Sequence, residues 1–266
     1  MRDAELSLRV LDALGGAPEK LILEIGVWKG GWSSVILMNN RFTRVTGIDP
    51  YPDFEDVKLQ CGVSFEKLGL SARYELFSEQ AEVPAGAMFD LVHIDGLHTE
   101  KQVLKDLGFA AQRLQAGGVI IVDDFMSLWF PGITSAVFQF MLSTEFRIFM
   151  VSGSKAYIAR AESSTGLWDW FLNRKQDFEH TQIYENLSDT DTNSPYVQET
   201  DILGQPCLIA GQPKKPGVSL KTGSGLPRCF RTVGPLKMRV SLKERTACPP
   251  HVDVSPRSSK TSYVGR

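Results

Sequence analysis

The chain is short of the residues that staple or chelate. Its four cysteines, Cys61, Cys207, Cys229 and Cys248, are scattered and never in C-x-x-C spacing, so they are expected to stay reduced, as in a cytoplasm. There are only four histidines, with no metal-binding cluster among them. Nothing approaches eighteen consecutive apolar residues, so no membrane-spanning helix is expected. The first residues, MRDAELSLRVLDALGG, form a charged amphipathic pattern unlike a secretory signal. A cytoplasmic protein without a membrane partner is the expectation.

Net charge is also small, at -2, but it is unevenly spread. Residues 213–266 carry about +10 and the rest about -12. That basic tail is rich in Pro, Gly, Ser and Lys and has no sustained period, which reads as a solvated, disordered extension. It is the only hint of nucleic acid, and it lacks the interleaved aromatics of a base-stacking surface.

What the chain does have is a run of strand and helix signals, clearest from Phe89 to Phe125. Leu91 to Ile94 is an apolar strand stopped by Asp95-Gly96, and Val119 to Val122 is another stopped by Asp123-Asp124. Between them Thr99 and Gln102 have capping-box spacing. Val103, Leu104, Leu107, Ala111 and Leu114 then recur at helical intervals, and Gly117-Gly118 is read as closing the helix. Two strands joined by one helix should be parallel neighbours, bringing Asp95 and Asp123 side by side at the carboxyl edge of a sheet. Open α/β sheets bind their ligands at that edge.

Upstream, Leu21 to Leu23 begins a strand that runs into LEIGVWKGGWS, where Gly26 and Gly30 bracket a turn before a helix from Ser33 to Met38. Glycine suits a tight reversal and lets backbone approach a ligand. Packing alone also places glycines in such turns. Val45 to Ile48 is a second strand ending in Asp49, twenty-five residues after Glu24, where an acid commonly takes the hydroxyls of a ribose or else simply serves the Asp-Pro turn. Tyr74 to Phe77 is a third strand, ending in Ser78-Glu79. A helix from about Thr134 to Leu142 precedes RIFMV and KAYIARA, two strands of a hairpin separated by Ser152-Gly153-Ser154. A short aromatic helix, Leu167 to Phe171, and then a polar stretch follow.

Taken together, LEIGVWKGG, GIDPY, LFSEQAE, the central stretch and the final hairpin resemble the class I S-adenosylmethionine-dependent methyltransferases over residues 20–160. The resemblance implies an α/β, doubly wound, mostly parallel seven-stranded sheet of order 3-2-1-4-5-7-6 with the seventh strand antiparallel. The expected division is a Rossmann-like domain over 1–162, an elaboration packed on it over 163–212, and the tail over 213–266. The central stretch is most similar to the metal-dependent macrocin- and catechol-type O-methyltransferases, in the branch with an IDGxH motif. That resemblance puts Glu24, Gly26, Gly30 and Ser33 at the methionine end of the cofactor S-adenosylmethionine, Asp49 at its ribose, and Ser78 and Glu79 beside its adenine. Asp95, which also borders the cofactor, falls with Asp123 and Asp124 on the three metal-ligand positions.

The chain departs from that pattern twice. Leu97 stands where an acid is often found, so the general base is open, and His98 occupies the position of the catechol-type catalytic lysine. Trp32 stands where a small hydroxyl residue is usual, with Ser33 next to it. Three carboxylates make a hard oxygen site, which favours Mg²⁺, with Mn²⁺ or Ca²⁺ as alternatives. Such an ion helps a hydroxyl to attack, and a small acceptor with neighbouring oxygens (a sugar, glycoside or catechol-like diol) could chelate it. Trp28, Trp129 and Phe130 are expected to shape the pocket, and His93 to be a core histidine. A metal-independent methyltransferase and a non-catalytic binding protein are the other readings. A homo-oligomer is left open.

Overall fold

Aliphatic and β-branched runs make the central strands. The strands are β1 (Lys20–Ile25), β2 (Thr43–Ile48), β3 (Tyr74–Phe77), β4 (Phe89–Ile94), β5 (Leu114–Val122), β6 (Phe146–Ser152), β7 (Lys155–Arg160), β8 (Val197–Ile202) and β9 (Gln205–Ala210). Of these, β1, β2, β4 and β5 are each stopped by a glycine or an acid. The helices are α1 (Arg2–Leu14), α2 (Gly31–Asn39), α3 (Glu55–Lys67), α4 (Glu100–Arg113), α5 (Pro131–Ser143) and α6 (Ala161–Leu172). This computed structural model describes residues 2–16, 19–177 and 197–210; the basic tail and part of the 163–212 segment lie outside the described residues.

One sheet takes all nine strands in the order β3-β2-β1-β4-β5-β7-β6-β9-β8. The first seven follow the expected order, with β7 antiparallel to both β5 and β6. Two further strands extend the expected seven at the far edge, where β9 pairs parallel with β6 and β8 runs back along β9. Leu203 and Gly204 both have positive φ, 53° and 71°, which suits the two-residue hairpin turn joining β8 to β9. The acids, glutamines and Pro206 around that turn disguise the strand pattern in the sequence.

Alternation along each strand divides the core into two layers. Ile22, Leu91, Val119 and Ile121 face α1, α2, α3 and α6. Leu23, Val92, Ile120 and Val122 face α4 and α5. Thr99 caps α4 as its spacing predicts, its hydroxyl oxygen accepting from the Gln102 amide at 3.4 Å.

The helix ends sooner than its period suggests. Leu114, Gly117 and Gly118 belong to β5, not to a helix cap. A Cβ on Gly118 would sit 2.8 Å from the Asp90 carbonyl oxygen, so this glycine permits close strand approach, beside a register shift between β4 and β5. Among the described residues no helix is long and apolar enough to cross a membrane.

Candidate active site

The turn after β1 is built to hold itself. Asp49, just past β2, accepts backbone hydrogen bonds from Val27 at 3.0 Å and Trp28 at 2.8 Å on one oxygen, and from Tyr51 at 2.9 Å on the other. The Tyr51 hydroxyl donates to the Trp28 carbonyl. Gly26 and Gly30 have φ of 86° and 69°. A Cβ on Gly26 would strike the Asp95 carbonyl, and one on Gly30 would strike Phe65 and Cys61. Of the two reasons expected for these glycines, packing accounts for the missing Cβ at both positions. Gly26 ties the turn to the backbone that carries Asp95.

Parallel pairing of β4 and β5, with Ile94 opposite Val122, brings the acidic strand ends together. The Asp123 amide bonds to the Ile94 carbonyl at 2.9 Å. Neighbouring strand residues would face opposite ways, but Asp124 adopts a left-handed conformation (φ 53°) and takes the chain off the strand. The two side chains then part company. Asp124 turns to His98, whose Nε2 lies 3.7 Å from its Oδ2 and 3.4 Å from Oδ1 of Asp95. Asp95, His98 and Asp124 each offer an atom capable of binding a metal, all within 4.8 Å of one another. Phe130 packs a tilted ring 4.2 Å from that of His98. Leu97, Met126, Leu128 and Trp129, which flank these three residues in the chain, are exposed apolar side chains.

Asp123 goes elsewhere. It pairs with Lys155 at the start of β7 and accepts from the Ser154 hydroxyl at 3.1 Å. Lys155 is 2% exposed and also reaches Nε2 of His93 at 3.3 Å. Nδ1 of His93 stands 3.5 Å from Glu24, which accepts a hydrogen bond from Ser33. Across the sheet this makes a buried polar chain: Ser33, Glu24, His93, Lys155, Asp123. Burial pushes the Glu24 carboxyl up to about 8, against the opposing Ser33 hydrogen bond. Burial, helped by the neighbouring Lys155 charge, holds His93 well below its ordinary value. Burial thus works against charge on both partners of the Glu24–His93 contact. For Asp123, burial works against ionisation, but Lys155 and His93 outweigh it and hold the carboxyl below its usual range. Burial, then the Asp123 charge, pushes Asp95 up to about 6.

Glu24 and Ser33, expected at the methionine end of a cofactor, are therefore turned inward to each other, at 2% and 0% exposure. The unusual Trp32 has a job in this layer. It stacks on His93 at 4.2 Å, and its indole N–H donates to Ser7 at 3.2 Å. Sequence reading missed Lys155; its signal is a lysine heading the apolar run KAYIA, where a solvated edge would not be expected.

At the β3 edge, Glu82 accepts from the Ser78 and Glu79 amides at 2.7 and 3.4 Å, fixing the turn. A cavity of about 490 Å³ opens beside Glu79, lined also by Lys105, Phe109 and Arg113 but by none of the strand-end acids. Next to it, Asp106 is buried beneath Gly96 and accepts from Gln80 at 2.6 Å and Gln102 at 2.8 Å on one oxygen. Its other oxygen has no partner among the described residues. Burial pushes this carboxyl up to about 6, against the two glutamine hydrogen bonds. The folded state therefore keeps a proton that the unfolded chain loses near pH 4. That contribution is present in acid and lost as pH rises through 6. Asp106→Asn is expected to gain melting temperature relative to the wild type on going from pH 5 to pH 7.5, by on the order of 5 °C. Parallel thermal melts with no pH-dependent difference would contradict it.

Residues 23–125, the span from within β1 to just past β5 that holds Glu24, Ser33, Asp49, His93, Asp95, His98, Asp123 and Asp124 but not Lys155, match the family described as "Methyltransferase domain". With the strand order, the class is the Rossmann-like methyltransferase fold. Uncharacterized protein R132 of Acanthamoeba polyphaga mimivirus is 27% identical over 151 residues, 51% of this chain and 67% of that protein. Among solved structures, the O-methyltransferase NovP is similar at 18% identity over 60% of this chain and 79% of its own, with a TM-score of 0.49. CalS11, a TDP-rhamnose 3'-O-methyltransferase of calicheamicin biosynthesis, is similar at 17% identity over 59% and 78%, with a TM-score of 0.43. The chain spans only 43% of a solved Galdieria sulphuraria protein that it also resembles.

Proposed function

We propose that this chain is an S-adenosylmethionine-dependent methyltransferase that methylates a hydroxyl of a small acceptor, assisted by a divalent cation. One observation carries the reading. Asp95, His98 and Asp124 converge at the carboxyl edge of the sheet, where the Asp95 backbone packs directly against Gly26. In an open α/β sheet that edge is where a ligand binds. The match of residues 23–125 to the methyltransferase-domain family supports the donor.

Methyl transfer from a sulfonium is an in-line displacement, so the protein's task is to align two reactants and to ready the acceptor oxygen. A divalent cation, when bound, would supply Lewis acidity, lowering the acceptor's pKa so that no strong base is needed. Asp95 and Asp124 would hold it with hard oxygens, and both are accessible at the strand ends. The exposed apolar side chains beside them, Leu97, Met126 and Trp129, would bury the carbon skeleton of the acceptor and keep water from the hydroxyl.

The test is calorimetric titration of S-adenosylmethionine, then a screen of sugars, glycosides and catechols with labelled donor, with and without chelator. The expected result is binding, plus turnover that chelator abolishes. Asp124→Asn should lose on the order of a hundredfold in turnover, with donor affinity changed by less than about threefold. Turnover indifferent to chelator would support a metal-independent transferase, and donor binding without turnover a binding protein.

A further inference from the structure

The three-acid expectation for the cation does not fit the arrangement of side chains, because the third acid already has a cation. Asp123 is paired with Lys155, a lysine that is itself buried and held in place by His93 and the start of β7. Swinging Asp123 toward Asp124 would leave Lys155 charged, buried and unpaired, which is the costly way to break such a pair. The place Asp123 vacates is filled by a nitrogen. His98 Nε2 sits between Asp95 Oδ1, at 3.4 Å, and Asp124 Oδ2, at 3.7 Å. Two atoms bound to one small divalent ion at about 2.1 Å are at most about 4.2 Å apart, so both separations are short enough for a shared ion.

We infer that the cation of this site is held by Asp95, His98 and Asp124, with Asp123 withdrawn from it by Lys155. The inference rests on the proposed metal-assisted reading and specifies its ligands. It changes two things. An imidazole among the donors shifts preference from Mg²⁺, which takes oxygen almost exclusively, toward Mn²⁺ and Co²⁺. His98 also ceases to be available as a general base, since its lone pair is directed at the ion.

The experiment uses the full chain and Mn²⁺ alone, following the loss of the free-ion paramagnetic resonance signal on binding. The wild type should bind Mn²⁺ and release it only to a large excess of Mg²⁺. His98→Gln and Asp124→Asn should each weaken binding by about tenfold or more, whereas Asp123→Asn should change it by less than about threefold. If Asp123→Asn folds poorly by circular dichroism, the double variant Asp123→Asn/Lys155→Met, which removes both charges, takes its place with the same expectation. The ligand set is overturned if Asp123→Asn loses as much as Asp124→Asn. It is also overturned if His98→Gln binds like the wild type, or if the wild type takes up no Mn²⁺ at millimolar concentration. Donor calorimetry on the same samples separates this from the broader reading. Donor binding with the wrong Mn²⁺ pattern removes the ligand set alone. The expected Mn²⁺ pattern without donor binding upholds the ligand set and removes the methyltransferase.

Discussion

Lys155→Met is expected to lower the free energy of unfolding by about 3 kcal/mol, the low end for breaking one side of a buried ion pair. In a domain of this size that is a fall of on the order of 10 °C in melting temperature. Methionine fits the volume of the lysine stem, so little packing is lost. The loss is electrostatic. Asp123 keeps a carboxylate whose side chain is only 18% exposed, with no lysine beside it. Nε2 of His93, at 3.3 Å from Lys155 in the wild type, loses its partner too. The pH dependence gives the sign. Lys155 is the second cause, after burial, of the low His93 pKa, and Asp123, 3.9 Å away, acts in the opposite direction. Without the lysine the folded-state pKa of His93 rises relative to the wild type, and a protonated His93 can answer Asp123. The destabilisation should therefore be largest at pH 8 and smaller at pH 6. Melting curves within 2 °C of wild type at pH 8, an order-of-magnitude threshold set by about 0.5 kcal/mol, would refute the buried pair as described.

Gly26→Ala is expected to be as damaging, and to act on the site directly. A side chain at φ 86° costs about 1–2 kcal/mol. The added Cβ meets the Asp95 carbonyl carbon and oxygen and the Gly96 Cα, all backbone at the exit of β4, and such overpacking costs about 1–3 kcal/mol more. Backbone cannot swing aside as a side chain can, so either β1 or the Asp95 segment moves. Displacement by about 1 Å in a positioned site can cost about a hundredfold in rate. Gly117→Ala is the control. Its φ is also positive, 78°, but nothing stands within 4 Å of the new Cβ, so only the dihedral cost applies. Denaturant unfolding of the two variants should separate them clearly, with turnover lost in the first alone. Equal destabilisation would mean that the Asp95 contact carries no weight.

Most of the sheet was legible because its strands are short apolar runs with sharp stops. Ile94 before Asp95-Gly96 and Val122 before Asp123-Asp124 are such boundaries, and they put the acids at one edge. Where local signals conflicted, the reading slipped. Leu114 satisfies a helical period yet starts β5, because pairing with Phe89 outweighs one more turn of helix. β8 and β9 were hidden by their polar residues, since an added edge hairpin buries only part of its surface. Glycine spacing suggested a ligand turn, but whether each missing Cβ makes room for a ligand or for Asp95 and Phe65 depends on what folds against it.

By itself the sequence determined the succession of β1 to β7 and the edge at which Asp95, Asp123 and Asp124 collect. Hydrophobic periodicity and chain connectivity act locally and survive in one dimension. Only the tertiary structure decided which acids face one another. The left-handed backbone at Asp124 and the arrival of Lys155, thirty-two residues after Asp123, set that choice. A buried charge takes whichever partner the fold brings within reach, and sequence distance carries no trace of it.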